Sequence, residues 1–163
     1  MSKIVPPVSD TRVCEHRLTR RVQFYETDAA GVVHFSVYFR YMEEAEHALW
    51  RAAGISIHDR SSEVGWPRVD ASFEYHRALR FEEEFEAWIR VVAIDERTIS
   101  YTCLLSREGD RIATGRVKVA CVTRGPAETW RGVAIPPEIR ARLGVAPAEA
   151  VTPVTEPGAA ERA

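Results

Sequence analysis

Hydrophobic positions keep a period near 3.6 residues in one segment of the chain and a period of two in several others. Tyr38, Met42, Ala45, Leu49 and Ala52 succeed one another at spacings of four, three, four and three, which lays one apolar stripe along a helix. Arg40, Glu43, Glu46, His47 and Arg51 fall largely off that stripe. Ser36 is placed to cap the helix start, and Gly54 to end it at C′. Phe39, Tyr41 and Trp50 spread apolar surface around the remaining girth, so this helix is expected to be covered on more than one side.

Past residue 68 the period changes. Val69, Ala71, Phe73 and Tyr75 alternate with Asp70, Ser72, Glu74 and His76, which predicts a half-buried strand. Residues 85–94, 98–107 and 111–123 read as further strands, separated by Asp95-Glu96-Arg97 and Glu108-Gly109-Asp110. Short polar turns between consecutive strands predict an antiparallel meander. Residues 15–25 read as a first strand, and Ile135-Pro136-Pro137-Glu138 opens a short last helix ending near Leu143. One long helix after a first strand, then about four antiparallel strands, is an α+β pattern, and a strongly curved sheet wrapped around the helix would satisfy it.

Residues 1–10 lack periodicity, and the chain from Gly144 to Ala163 holds almost no large apolar side chain. Such a stretch cannot offset its ordering entropy by burial. The expected organisation is a flexible N-terminus over 1–12, one domain over 13–143 and a flexible tail over 144–163, with 163 residues in all. A net charge of −2 gives no overall field to attract nucleic acid or an anionic membrane, so an anionic small ligand would need a local basic patch. Cys14, Cys103 and Cys121 are odd in number and lack CxxC spacing, which argues against a disulfide framework or a zinc site. Cys103 and Cys121 lie in apolar runs and are expected buried and reduced. No run approaches the roughly 18 apolar residues of a membrane span. Pro6 and Pro7 stand where a signal peptide needs an apolar core, so a cytoplasmic location is expected.

The candidate chemistry lies in Phe24-Tyr25-Glu26-Thr27-Asp28-Ala29-Ala30-Gly31-Val32-Val33-His34-Phe35, between the first strand and the long helix. A carboxylate near a helix start meets unpaired N–H groups, which can also receive the oxygen of a carbonyl becoming an oxyanion. Gly31 lets backbone approach a ligand closely. Asp28 could serve there as nucleophile or as base for water, although on pattern alone a simple cap is the commoner role.

The segment resembles the signature of the 4-hydroxybenzoyl-CoA thioesterase family, in its branch of small bacterial acyl-CoA thioesterases. Tyr25, Thr27, Asp28, Gly31, Val32, Val33, His34, Phe35, Tyr38, Glu43 and Ala45 carry the likeness, which continues through Phe73-Glu74-Tyr75, Ala113-Thr114-Gly115 and Ile135-Pro136. The resemblance implies the hot-dog fold, a curved antiparallel sheet around one long helix. It implies homodimers formed by extending the sheet, dimers that often pair again, and an active site between subunits. It also implies an acyl-CoA substrate, with Asp28 as catalytic carboxylate and the N–H near Phe35 as the donor to the thioester oxygen. Gly31 and Val33 would line the substrate, and Arg97 would hold CoA phosphates, in competition with Arg77, Arg80, Lys118 and Arg124. His34 is a further catalytic candidate or an orienting side chain, and Glu43 is either near the reacting carbonyl or on a solvated face. No metal or organic cofactor is expected, since His16, His47, His58 and His76 show no mutual ligand spacing. Trp50, Trp66, Trp88 and Trp130 could line an acyl pocket but suit core or interface packing better.

Several positions depart from the family pattern. Glu26 replaces a common aspartate, the order His34-Phe35 is reversed, Phe24 stands where some relatives carry tyrosine, Glu46 where arginine is frequent and Ala78 where proline is frequent. Two other readings keep the fold: an enoyl-thioester hydratase or dehydratase using a histidine base, and a non-catalytic acyl-CoA binding protein.

Overall fold

The structure, a computed structural model, describes residues 11–125 and 129–148. Strand β1 (Glu15–Arg21) leads through a single 3₁₀ turn (Phe24–Glu26) to helix α1 (Val37–Ala52). Strands β2 (Val64–Gly65), β3 (Arg68–Tyr75), β4 (Glu84–Ile94), β5 (Thr98–Arg107) and β6 (Asp110–Ala120) follow. Then come β7 (Val122–Arg124), β8 (Trp130–Gly132) and a one-turn helix, α2 (Pro137–Arg140). The main sheet is antiparallel throughout, in the order β1-β4-β5-β6-β3, and β2-β7-β8 form a small second sheet.

The helix lies against one face of the main sheet because that face is apolar at every second residue. Phe85, Ala87, Ile89 and Val91 of β4 and Ile99, Tyr101, Cys103 and Leu105 of β5 are buried beneath Tyr41, Ala45, Leu49 and Trp50 of α1. Trp50 and Tyr101 settle their polar atoms together, the indole N–H donating to the hydroxyl at 3.0 Å. Cys103 and Cys121 are buried free thiols, and burial pushes the Cys103 thiol up to about 12. The helix ends where expected, with Gly54 at φ +74° just past it. Among the described residues no helix is long and apolar enough to cross a membrane.

Five expectations are corrected. The first strand stops at Arg21 rather than Tyr25, because Val22 turns inward to bond the Glu83 carbonyl and the chain coils into the 3₁₀ turn. The strand expected over 111–123 divides at Cys121, its last part pairing with β2 and β8 in the second sheet. Ser36 stands at the cap position in helical conformation and makes no capping bond; its hydroxyl pairs with His34 Nδ1 at 2.8 Å. Strand β3 is not half-buried: Phe73 is partly covered, while Val69 and Tyr75 are 56% and 46% exposed. It is one of the two edge strands, and α1 reaches it at Phe73 and Tyr75, through the rings of Tyr38 and Phe39. Finally, the chain past Leu143 is anchored for a few residues: the Ala146 N–H donates to Val91 O, and Arg90 donates to the Pro147 carbonyl. Residues 1–10 and 149–163, where loose ends are expected, lie outside the described residues.

Candidate active site

The loop that carries Asp28 is held from three sides by one buried carboxylate. Glu26, 5% exposed, accepts from Arg20 of β1 at 2.7 Å, from the Gln23 N–H at 2.8 Å and from the Tyr41 hydroxyl of α1 at 2.7 Å. Its own carbonyl accepts the His34 N–H at 2.9 Å. Strand, loop and helix therefore meet at one side chain. Burial works against its charge, but the bonds from Arg20, Gln23 and Tyr41 and the charge of Arg20 outweigh it and hold the carboxyl below its usual range.

From Glu26 the chain makes a tight turn. The Asp28 N–H donates to Val32 O at 2.8 Å, and the Gly31 N–H to Asp28 O at 3.0 Å. Gly31 has φ +75°, a conformation that explains glycine there. Asp28 Oδ1 accepts the Ala30 N–H at 2.8 Å, as in an Asx turn, while Oδ2 has no partner among the described residues. The turn is fastened to residues 79–80 by the Val33 N–H, which donates to Leu79 O at 2.8 Å, and by a bridge between Val32 and Arg80.

This arrangement opens a cavity of about 350 Å³ with Asp28 on one wall and Val32, Val33, Phe35, Tyr38, Tyr75 and His76 around it. The backbone at its rim carries an unused donor. His34 N–H, Ser36 N–H and Val37 N–H each have an acceptor, whereas Phe35 N–H has none among the described residues. Tyr75 donates its hydroxyl to Phe35 O at 2.8 Å and so fixes the orientation of that residue. A half-buried carboxylate with one free oxygen thus shares a cavity with a residue whose N–H is unpaired. Carbonyl chemistry needs both groups.

The other candidates are distributed unevenly. Gly31 and Val33 belong to the loop, and Val33 is buried. His34 stacks on Phe35 with centroids 4.5 Å apart and spends Nδ1 on Ser36, so its position suits an orienting role. Glu43 is not brought to Asp28: it lies in a second, smaller cavity and is 3.9 Å from His47. Arg97 is also elsewhere in the chain, in the β4–β5 turn beside Gly132 of β8. Arg77 and Arg80 are the cations next to the Asp28 loop; Arg77 is paired with Asp110, and the Arg80 guanidinium has no acceptor among the described residues. Lys118 belongs to β6, and nothing is described of the Arg124 side chain. Trp50 and Trp66 pack in the core, Trp88 lies under Arg17 and Arg90, and Trp130 is exposed; none lines this cavity.

Sequence reasoning missed Tyr75 and His76, which face the cavity from β3 and the loop after it. It also placed Glu46 off the apolar stripe, yet that carboxylate is 1% exposed, paired with Arg68 of β3 and neighboured by Ala71 of β3 and Val117 of β6. Among the described residues no group of three or more His, Cys, Asp or Glu could hold a metal ion.

Comparison with known proteins adds an independent line. The family model described as "Thioesterase-like superfamily" matches residues 22–143. A protein of Aquifex aeolicus, provisionally named an esterase, is 34% identical over 123 residues, which is 74% of this chain and 91% of the relative. A 1,4-dihydroxy-2-naphthoyl-CoA hydrolase of Thermosynechococcus vestitus is 29% identical over 134 residues, 80% of this chain and 90% of the relative. The crystal structure of a 1,4-dihydroxy-2-naphthoyl-CoA thioesterase from Synechocystis superposes with a TM-score of 0.71 over 77% of this chain and 93% of its own, at 16% identity, a likeness of fold.

Proposed function

The chain belongs to the thioesterase-like superfamily, with the hot-dog fold and thioester hydrolysis that go with it, and from that premise we propose that it cleaves an aromatic acyl-CoA through Asp28. One observation carries the assignment to Asp28: this residue, with one carboxylate oxygen free among the described residues, and Phe35, whose N–H has no acceptor among them, line one cavity. The thioester carbonyl enters with its oxygen toward Phe35 N–H and its carbon toward Asp28. As a general base, Asp28 takes a proton from water while the hydroxyl oxygen bonds to the carbonyl carbon and the C=O electrons move to oxygen. Phe35 N–H stabilises that oxyanion. The C–S bond then breaks as the carbonyl reforms, and CoA leaves as a thiolate, which needs no strong acid because thiols ionise near pH 8.5. As a nucleophile, Asp28 itself bonds to the carbonyl carbon, expels the thiolate, and the resulting anhydride is opened by water.

The aromatic class rests on two supports. The walls of the cavity present Phe35, Tyr38 and Tyr75. Several of the similar proteins are named 1,4-dihydroxy-2-naphthoyl-CoA hydrolases. Arg77 and Arg80 are the side chains at hand for the CoA phosphates. The open edge of β3, with Val69 and Tyr75 exposed on it, is where a second copy would extend the sheet and close the cavity.

Thiol release measured across aryl, short, medium and long acyl-CoA esters tests this reading. Turnover is expected to be highest for the aryl esters. No thiol release from any of them would overturn it.

A further inference from the structure

The smaller cavity, about 110 Å³, is lined by Glu46, which among the described residues is the buried carboxylate left half-satisfied. Glu46 Oε2 accepts from Arg68, while Oε1 is buried with no partner among the described residues. Leaving a buried acceptor unpaired is costly, and more so when it is charged, so it asks for a donor. The cavity has room for one: it is many times the volume one water requires. Glu43 also lines it, and the rest of the lining is apolar, from Phe39, Met42, Ala71 and Val117.

This cavity is in line with the Asp28 cavity. Tyr75, Phe73 and Ala71 are alternate residues of β3 and so share the face turned to α1. Tyr75 lines the Asp28 cavity and Ala71 the Glu46 cavity. Phe73 stands between them, its ring 5.8 Å from that of Tyr38 on one side and 5.1 Å from that of Phe39 on the other. Along the helix axis Glu46 stands about 12 Å beyond Tyr38, and Met42, which shares the Glu46 cavity, about 6 Å beyond it.

We propose that the Glu46 cavity receives the distal end of the acyl group, and that Glu46 is a specificity residue accepting a hydrogen bond from a hydroxyl on that end. The inference rests on the hydrolase reading above and extends it from the reacting carbonyl to the far end of the substrate. Phe73 then lies under the aromatic plane as the floor between the two cavities. Ala71 leaves the space that a larger residue on β3 would fill. Arg68 keeps the carboxylate oriented by holding its other oxygen.

The test compares two esters that differ by one hydroxyl, 6-hydroxy-2-naphthoyl-CoA and 2-naphthoyl-CoA. In the wild type, kcat/KM is expected to favour the hydroxylated ester by about tenfold or more. In Glu46→Leu the ratio should fall to about one. Glu46→Gln, which preserves shape and an acceptor oxygen, should fall between them and serves if the leucine variant does not fold. A merely structural role for Glu46 would lower both rates together and leave the ratio intact, and that result overturns the proposal. An unchanged ratio with an altered particle size in sedimentation assigns the free oxygen to a contact between copies, and overturns it equally. No release from either ester by a wild type that cleaves other acyl-CoA esters overturns this inference alone, whereas no release from any ester overturns the hydrolase reading with it.

Discussion

Asp28 and Glu26, two residues apart, divide the work of the loop between them. Glu26 is spent on structure, with every bond directed at Arg20, Gln23 and Tyr41, whereas Asp28 keeps an oxygen in reserve. Tyr75 is the third member, because it ties β3 to Phe35, whose N–H has no acceptor among the described residues. Tyr75→Phe removes one neutral hydrogen bond, worth about 0.5–1.5 kcal/mol, and is expected to lower kcat by about 2- to 10-fold with KM near the wild-type value. Steady-state kinetics on an aryl-CoA would show the split. Asp28 and Gly31 were singled out in the sequence by the family resemblance, because the local pattern of a carboxylate before a helix start reads equally as a cap. The role of Tyr75 was not legible, since its partner is 40 residues away and nothing in the alternation of a strand names the carbonyl it will meet.

At the scale of elements, α1 and β3 form the site and differ in how far they could be read. The helix limits follow from the stripe and from Gly54, and both agree with the structure to within a residue. Period two located β3 but could not say whether anything covers it, because alternation distinguishes two faces without telling which one a neighbour will bury. The same ambiguity hid Glu46, off the stripe on a helix that is wrapped on more than one side. The register between β3 and β6 gives Gly115 a physical role, opposite Phe73. A Cβ there would stand 2.6 Å from Phe73 Cζ and 2.9 Å from Met42 Sδ. Gly115→Ala is therefore expected to displace the Phe73 ring and to destabilise the fold by about 1–3 kcal/mol, read as a lower denaturant midpoint. A midpoint equal to the wild type would mean that Phe73 is not held between Tyr38 and Phe39.

For the whole molecule, two buried carboxylates pull the pH dependence of stability in opposite directions. Glu26 titrates below the ordinary value of 4.5, so its contribution is present above that value and is lost as pH falls further. Glu46 is raised to about 7, by burial first and by the charge of Glu43, against the charge and hydrogen bond of Arg68. The folded chain therefore holds a proton there that the unfolded chain releases near 4.5, and stability is lost as pH rises from about 4.5 to about 7. The melting midpoint of the wild type should fall across that window, and Glu46→Gln should flatten the fall and melt higher than the wild type above pH 7. An identical slope in the two proteins would show that Glu46 does not titrate there. The central claim concerns a different carboxylate. The most direct test is kcat for thiol release from an aryl-CoA by Asp28→Asn beside the wild type, with circular dichroism confirming that both are folded. Loss of about 10²- to 10⁴-fold in kcat is the predicted result, and a folded variant that turns over at the wild-type rate would contradict the account.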